Sequence, residues 1–407
     1  MVESIIDALA APDPAPLPLR LLVATRYAEA VGVCDDRLRA ASAQTIDDAM
    51  WVRAELRMLP SQVVGAALTS PRVLYEMEQG NGDCVACAAL ALIEASLASG
   101  RDPADRALDI TRRGGAGRAA LTEAGLWMDL NSGARFHMDE SERIQLGGRW
   151  VLCAGGDNFL DGPVIDSHPR VQEEHESERF QTSLVQALAL MQRATPGFRG
   201  ALEGLLRAVL PMQRVALGAP SASSSGLVGA CCLSACDEAE LIAEQLAHES
   251  SHLLLFALQR VDPLLDARVH GEGWDERLFY SPWRDDLRPL NGLLHGAVVF
   301  TRAAFVHARL ADTHQVSLRR LAALVPQLRI VVAELRAAAT MTPAGARLMR
   351  NLADATAILT GVAAELRADR VEPLYLEQSS IQRLHGDGSA RAIQHRAVAQ
   401  LARTGAA

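Results

Sequence analysis

The sequence predicts a mainly α-helical fold with a minor antiparallel β component. Ala, Leu and Arg dominate the chain, and these residues lose little entropy on entering a helix. Aromatic residues make up only 4% of the chain, and strand-like patterns are confined to residues 143–152 and 227–233. With 49% hydrophobic and 22% charged residues, the chain has enough apolar material for a large core, which excludes global disorder.

The sequence of residues 1–175 predicts a mostly helical N-terminal region. The proline-rich residues 12–19 predict an early non-helical linker, because proline lacks a backbone N–H. Residues 84–98 are rich in Ala and Leu and end just before a glycine, which predicts a helix. Two short runs that flank Gly147-Gly148 predict a hairpin over 143–152.

For the rest of the chain we expect a catalytic domain over residues 176–370 and a polar C-terminal tail over residues 371–407. We expect the helix of 290–312 to pack beside that of 237–260, and residues 1–175 to cover the site between them. The elements predicted here are helices over 177–194, 197–210, 237–260, 290–312 and 316–368, a serine-rich loop over 221–226 and a short strand over 227–233.

Charge and residue usage exclude several classes of protein. The net charge of −9 argues against nucleic-acid binding, which normally needs a basic face. All 40 cationic residues are arginine, so a Schiff-base lysine and a P-loop lysine are both excluded. No apolar run reaches the ~20 residues of a membrane span, and the N-terminus does not resemble a signal peptide. Seven cysteines, an odd number, suit a reducing compartment, so we expect a soluble, cytoplasmic protein.

The motif with the clearest chemical meaning is His248-Glu249-Ser250-Ser251-His252, an HExxH sequence. A capping box from Ser234 to Asp237 is expected to open its helix. Residues four apart on a helix project in nearly the same direction, so the two imidazoles can share one metal ion. The alternative is a pair of core histidines, which would need polar partners if they were buried.

A catalytic metal needs a third protein ligand. Leu258 stands where a metzincin would place its third histidine. We favour His295, a polar residue in an apolar helical stretch, although it could also be a hydrogen-bonded core histidine. The downstream candidates are His270, Glu272, Asp275, Glu276, Asp285, Asp286 and His295.

The segment between these candidates is dense in aromatic and charged residues. Trp283 lies beside Arg284 and close to Arg288. A guanidinium binds a carboxylate through two parallel hydrogen bonds. These three residues therefore predict an anion-binding wall, the alternative being an ordinary surface loop.

Four motifs in succession resemble the family of HExxH-type, 2-oxoglutarate-dependent peptide β-hydroxylases, which modify ribosomally made peptides in bacteria. The resemblance covers roughly residues 220–310 and leaves residues 1–170 and the C-terminal tail unmatched. The motifs are the HExxH sequence, Leu264-Leu265-Asp266, the run from Tyr280 to Leu290, and Gly292-Leu-Leu-His-Gly296.

This resemblance implies an iron(II) enzyme with a zincin-like metal helix instead of a cupin barrel. Such an enzyme uses O₂ and 2-oxoglutarate to hydroxylate a side-chain β-carbon in a precursor peptide. His248 and His252 would be iron ligands, with His295 as the third ligand and Glu249 as an orienting group. Arg284 or Arg288 would hold the distal carboxylate of 2-oxoglutarate, a role that the chemistry of the guanidinium indicates. Glu249 would complete a two-histidine, one-carboxylate set if His295 were not a ligand.

Two other functions remain open from the sequence. In a zinc metalloprotease, His248 and His252 would bind zinc and Glu249 would be the general base. The protein could also be a peptide-binding scaffold with a structural metal. The CxxC pair Cys84 and Cys87 is expected to be core, as are the cysteines near residues 231–236.

Overall fold

We analysed a computed structural model of the chain, and it confirms a mainly helical fold with small sheets. No helix in the described part of the chain is both long and apolar enough to cross a membrane. The structure describes residues 2–41, 45–68, 70, 73, 84–113, 118–121, 126–132, 134–137, 143–146, 149–153, 174–212, 221–226, 228–270, 278–283 and 286–374.

Thirteen α-helices are numbered here in chain order within those residues. A 3₁₀ turn follows the last of them at Ala368–Arg370. The helices are α1 (Val2–Ala10), α2 (Pro16–Arg39), α3 (Ile46–Arg57), α4 (Ser61–Leu68), α5 (Cys84–Ala98), α6 (Asp105–Arg113), α7 (Glu174–Ala194), α8 (Pro196–Leu205), α9 (Ala239–Gln259), α10 (Ala267–His270), α11 (Leu290–Leu310), α12 (Gln315–Ala338) and α13 (Pro343–Glu365).

The strands form three small sheets. Strands β1–β3 form an antiparallel sheet, and β9 and β10 form a hairpin. The third sheet has the order β4-β5-β6-β8-β7 and is mixed, because β6 pairs in parallel with both β5 and β8. The strands are β1 (Arg118–Leu121), β2 (Leu126–Asp129), β3 (Arg135–His137), β4 (Arg143–Leu146), β5 (Arg149–Leu152), β6 (Ala208–Met212), β7 (Ser221–Ala222), β8 (Ala230–Ser234), β9 (Leu278–Ser281) and β10 (Asp286–Pro289).

The HExxH helix α9 lies in the larger of the hydrophobic cores. It packs against α7 and α11, and it follows strand β8. Helix α11 in turn packs against α12 and α13. The prediction that the helix beginning at residue 290 packs beside the HExxH helix is therefore confirmed.

The N-terminal helix belongs to this same core. Ile5, Ile6 and Leu9 of α1 are buried in it. The guanidinium of Arg302, on α11, is also buried and donates to the carbonyl oxygens of Ala8 and other residues at the end of α1. These bonds satisfy carbonyls that have no partner within the helix, so α1 is held against α11.

A second core forms around α5, which is buried over the whole stretch from Val85 to Leu97. A helix that is apolar on all sides must be surrounded by other elements, and α3, α4 and α6 pack against it. The domain boundary near residue 175 stays a prediction, but residues 5–23 contribute to the core of the HExxH helix.

Several local predictions were wrong at their boundaries. Helix α2 begins at Pro16, inside the stretch 12–19 predicted to be a linker. Proline fits the first turn of a helix because N–H groups there have no intrahelical acceptor. Residues 208–210, predicted to end a helix, belong instead to strand β6, which spans Ala208–Met212. The predicted helix over 316–368 is two helices, the second starting at Pro343 with Thr342 as its N-cap.

The capping box expected from Ser234 to Asp237 is also wrong. Helix α9 begins at Ala239 without a side-chain cap, and Ser234 is the last residue of strand β8. Its backbone N–H donates to Gln245 Oε1 at 2.7 Å. This bond ties the strand to the second turn of the helix.

Candidate metal centre

The two histidines of the HExxH motif project from the same face of α9. Their ring centroids are 4.9 Å apart, with the rings edge to face. Most other residues of α9 are buried, so the core fixes the rotation of the helix about its axis. The predicted juxtaposition of His248 and His252 is confirmed.

His295, on α11, completes a cluster of three imidazoles. Its Nδ1 lies 3.1 Å from Nδ1 of His252, and the two rings are stacked at 5.3 Å between centroids. With metal–nitrogen bonds of about 2.1 Å, two neighbouring ligand atoms lie roughly 3.0–3.4 Å apart. The spacing of this pair therefore fits two ligands of one metal ion.

The other nitrogen of His295 is held by a chain of two amides. His295 Nε2 lies 2.8 Å from Gln259 Oε1, and Gln259 Nε2 donates to Asn291 Oδ1 at 2.7 Å. Because Gln259 Oε1 can only accept, the proton of the neutral imidazole is on Nε2. The lone pair is then on Nδ1, the atom that faces His252.

Burial keeps this ring neutral. His295 is 7% exposed, and desolvation lowers its pKa to about 4. At neutral pH the imidazole therefore presents a lone pair without first losing a proton, as a metal ligand must.

Glu249 is buried beside the histidines and is bound by two serines. Its side chain is hydrogen bonded by Ser221 Oγ at Oε1 and by Ser223 Oγ at Oε2, each at 2.5 Å. His248 Nε2 lies 3.8 Å from Oε1, and Glu249 is only 2% exposed. Both carboxylate oxygens are thus engaged by hydroxyl donors on β7 and the loop after it.

An aromatic wall closes one side of the cluster. Phe300 packs edge to face on His248 and stacks on Trp283, both at 4.6 Å between centroids. A Cβ atom on Gly296 would come within 2.4 Å of the Trp283 ring. The glycine next to His295 therefore lets the indole lie directly on α11.

Trp283 lies against Gly296, the residue after His295, and its part in an anion-binding wall stays a prediction. Its buried Nε1 atom has no hydrogen-bond acceptor within the described residues. Arg288 is half-buried on β10 opposite Phe279, and its Cβ lies near Gly292 in the first turn of α11. Its role as an anion ligand stays a prediction, and Arg284 lies outside the described residues.

Two of the remaining third-ligand candidates lie on described elements. Asp286 begins β10, and His270 ends α10. The other four are outside the described part of the chain: Glu272, Asp275, Glu276 and Asp285.

Within the described residues, no set of three or more His, Cys, Asp or Glu side chains converges on one point as a finished metal site. The fit of a metal depends instead on the His252–His295 pair, with His248 one helical turn away. The donor set is made of imidazoles, which both zinc and iron(II) accept.

The polar residues around the histidines were not predicted from the sequence. Gln259 lies seven residues after His252, on nearly the same helix face, and this spacing is the one signal that could have identified it. Ser221, Ser223 and Asn291 lie on other elements, and no spacing relates them to the motif.

The cysteines are confirmed as free, mostly buried residues of the cores. Burial raises the pKa of the Cys153 thiol to about 12. The thiol is therefore unreactive, and Cys153 acts as a small apolar residue of the core. His307 is also a core residue, and its Nε2 is hydrogen bonded to Glu244 Oε2 at 2.8 Å.

Comparison with family models and with curated proteins identified no relative of this chain. No model of a protein family matches the chain, and no curated protein matches it significantly. Any assignment of function to this chain rests on its motifs and on the geometry of the histidine cluster.

Proposed function

We propose that the protein is an iron(II)- and 2-oxoglutarate-dependent oxygenase that hydroxylates a side-chain β-carbon in a ribosomally made peptide. The metal is supported by the 3.1 Å spacing of His252 Nδ1 and His295 Nδ1. The choice of 2-oxoglutarate and of a peptide substrate depends on the series of motifs from residue 248 to residue 296.

His248, His252 and His295 would hold the iron. Gln259 would keep the lone pair of His295 on Nδ1, because an orienting hydrogen bond fixes the tautomer of a ligand. Trp283 and Phe300 would exclude water from one side. The chemistry supplied with iron(II) bound is oxidative decarboxylation of 2-oxoglutarate, coupled to hydroxylation of a C–H bond.

The carboxylate of Glu249 is the single observation that favours an oxygenase over a zinc protease. A general base in a protease must take a proton from a metal-bound water. Glu249 is 2% exposed and accepts hydrogen bonds from two serine hydroxyls. This arrangement suits a carboxylate that is held in place beside a neighbouring ligand better than one that must reach a metal-bound water in each turnover.

The first experiment is an anaerobic titration of metal-free protein with iron(II), with and without 2-oxoglutarate, followed by visible absorption. We expect a weak charge-transfer band that needs both iron and 2-oxoglutarate. The band should be lost in His248→Ala, His252→Ala and His295→Ala. His314→Ala is the matched control, because His314 lies outside the cluster at the start of α12.

Zinc retention and peptide cleavage test the rival function. If the wild-type protein gives no band, holds zinc and cleaves peptides, and if Glu249→Gln abolishes cleavage, the protein is a protease. For the oxygenase we expect Glu249→Gln to keep the band with altered intensity or position, since the glutamine still fills the site beside His248.

A further inference from the structure

A buried amide on α12, that of Gln327, holds the end of the β9–β10 hairpin. Gln327 is 3% exposed, and its Nε2 donates to the carbonyl oxygen of Pro282 at 3.0 Å. Ser281 and Asp286 form the pair of the hairpin ladder that is nearest the turn, so Pro282 lies just beyond the ladder. Gln327 therefore supplies a donor to a carbonyl that the ladder does not reach.

The position of Trp283, the next residue in the chain, depends on this bond. Its indole Nε1 has no acceptor within the described residues, so no hydrogen bond from the side chain itself fixes the ring. The ring lies directly on Gly296 of α11 and stacks on Phe300. The bond at Pro282 therefore fixes the backbone from which the indole reaches α11.

Aromatic contacts continue from Trp283 to the first histidine of the motif. The rings of Trp283 and Phe300 are stacked with 21° between their planes, and Phe300 meets the His248 ring edge to face at 69°. Both pairs have centroids 4.6 Å apart, within the preferred range for aromatic pairs. A ring packed in this way limits the rotation of the imidazole about its Cβ–Cγ bond.

These contacts form one series from α12 to the HExxH helix. Gln327 holds Pro282, Trp283 follows Pro282, and Phe300 lies between Trp283 and His248. A ligand whose ring is already oriented binds a metal more tightly than one that must be ordered on binding. Loss of the amide would therefore reach His248 through two aromatic rings.

We propose that Gln327 is a positioning residue of the metal site. By holding the Pro282 carbonyl, it keeps Trp283 and Phe300 in place and so fixes the imidazole of His248 for metal binding. The proposal rests on the metal-binding part of the proposed function, and it requires neither 2-oxoglutarate nor a peptide substrate.

The first test is Co²⁺ titration of full-length, EDTA-treated protein, followed by visible absorption. We expect Gln327→Met, which keeps the length of the side chain and removes the donor, to weaken Co²⁺ binding about tenfold. Leu321→Ala is the matched control and should bind Co²⁺ like the wild type. Leu321 is buried on the same helix, about 9 Å along its axis from Gln327, so its loss destabilises the core at a distance from Pro282. Gln327→Asn, which withdraws the amide by one methylene group, replaces Gln327→Met if that variant does not fold.

A double-mutant cycle tests whether Gln327 acts through the aromatic rings. Phe300→Leu removes the ring between Trp283 and His248 and should also weaken Co²⁺ binding. In that background Gln327→Met should weaken binding by less than twofold further, because the series of contacts is already broken. Fold-changes that multiply would mean that Gln327 and Phe300 act independently, and they would overturn the proposal.

Fluorine NMR of metal-free protein labelled with fluorotryptophan tests the position of the indole without a metal. The chain has five tryptophans, and loss of one resonance in Trp283→Phe assigns Trp283. That resonance should move in Gln327→Met and stay in place in Leu321→Ala. The proposal alone is overturned if the resonance does not move or if Gln327→Met binds Co²⁺ like the wild type. A wild-type protein that does not bind Co²⁺ overturns it together with the metal-dependent function.

Discussion

One amide determines which nitrogen of His295 faces His252. Gln259 Oε1 accepts from His295 Nε2, and Asn291 holds the amide in that orientation. Since His295 and Gln259 lie on different helices, α11 and α9, the tautomer of the ring is coupled to the packing of these helices. A residue outside the HExxH motif therefore keeps the lone pair of His295 on the side of His252.

Replacing Gln259 separates this orienting role from packing. We expect Gln259→Leu to weaken Co²⁺ binding by about 10–100-fold, the range for loss of a partner that orients a ligand. Gln259→Glu retains an acceptor for His295 Nε2 and should stay close to wild type. Co²⁺ titration followed by visible absorption measures both variants, and equal affinity in Leu and Glu variants would show that Gln259 does not orient His295.

At the residue scale, the motif and His295 could be predicted from the sequence, because an HExxH spacing and a lone polar residue in an apolar helix are local signals. The structure does bring these three histidines together. Ser221 and Ser223 could not be predicted as partners of Glu249, since nothing in their local pattern distinguishes them from ordinary loop serines. Their role depends on where β7 is placed against α9.

At the element scale, a buried charge network links three helices. Glu244, one turn before His248 on α9, accepts hydrogen bonds from His307 Nε2 at 2.8 Å and from Arg320 Nε at 2.7 Å. His307 lies on α11 and Arg320 on α12. The network therefore fixes the position of α9 along α11, and with it the distance between the motif and His295.

Removing one partner of this network should be costly. We expect Arg320→Met to destabilise the fold by about 3–5 kcal/mol, because the carboxylate of Glu244 would remain buried without its main counter-charge. The double variant Glu244→Gln with Arg320→Met should recover part of this loss. Urea unfolding at pH 7 measures both, and additive effects of the two substitutions would contradict coupling between them.

The same network predicts the direction of an acid effect. Burial raises the pKa of Glu244, but Arg320 and His307 outweigh burial and hold it below its usual 4.5. The ionised carboxylate thus stabilises the fold above about pH 4.5, and this contribution is lost as the pH falls further. Wild-type protein should lose more stability between pH 5 and pH 3 than Glu244→Gln, as measured by urea unfolding. An equal loss would exclude Glu244 as the cause.

Contact between the β9–β10 hairpin and α11 depends on one glycine. Gly296→Ala would place a Cβ 2.4 Å from the Trp283 ring, so we expect a loss of about 1–3 kcal/mol from overpacking. Gly361, on α13, has open space around it, and Gly361→Ala should stabilise the protein by about 0.5–1 kcal/mol. Thermal unfolding compares the two, and similar shifts in Tm would contradict close packing at Gly296.

The helices were predicted more accurately than their ends or the sheet. Helix α9 and helix α11 begin and end within two residues of prediction, because each has a long apolar pattern with clear boundaries. The first three residues of strand β6 were assigned to a helix, since a short, fully buried apolar run has no period that distinguishes a strand from a helix. The structure of α2 shows that proline also marks helix starts.

At the scale of the whole molecule, the N-terminal helix α1 packs against helices from the C-terminal half of the chain in the larger core. Helix α1 packs against α11 and α13, so the first ten residues support the helix that carries His295. Two arginines bind α1 from this side. Arg302 is buried against the helix's terminal carbonyls, whereas Arg347 pairs on the surface with Glu3 and Asp7.

These two arginines give a matched test of what holds α1 in place. Arg302→Met removes donors from several buried carbonyls, each costing about 1–3 kcal/mol when left unsatisfied, and it should detach α1 and expose it to proteolysis. Arg347→Gln removes only exposed ion pairs, which contribute little to stability, and should leave protection unchanged. Limited proteolysis with mass spectrometry locates the cuts. If α1 is released in Arg302→Met, Co²⁺ binding should weaken as well, because α11, which carries His295, then loses its contact with α1. Loss of α1 with full metal affinity would mean that the N-terminal helix stabilises the fold without supporting the histidine cluster.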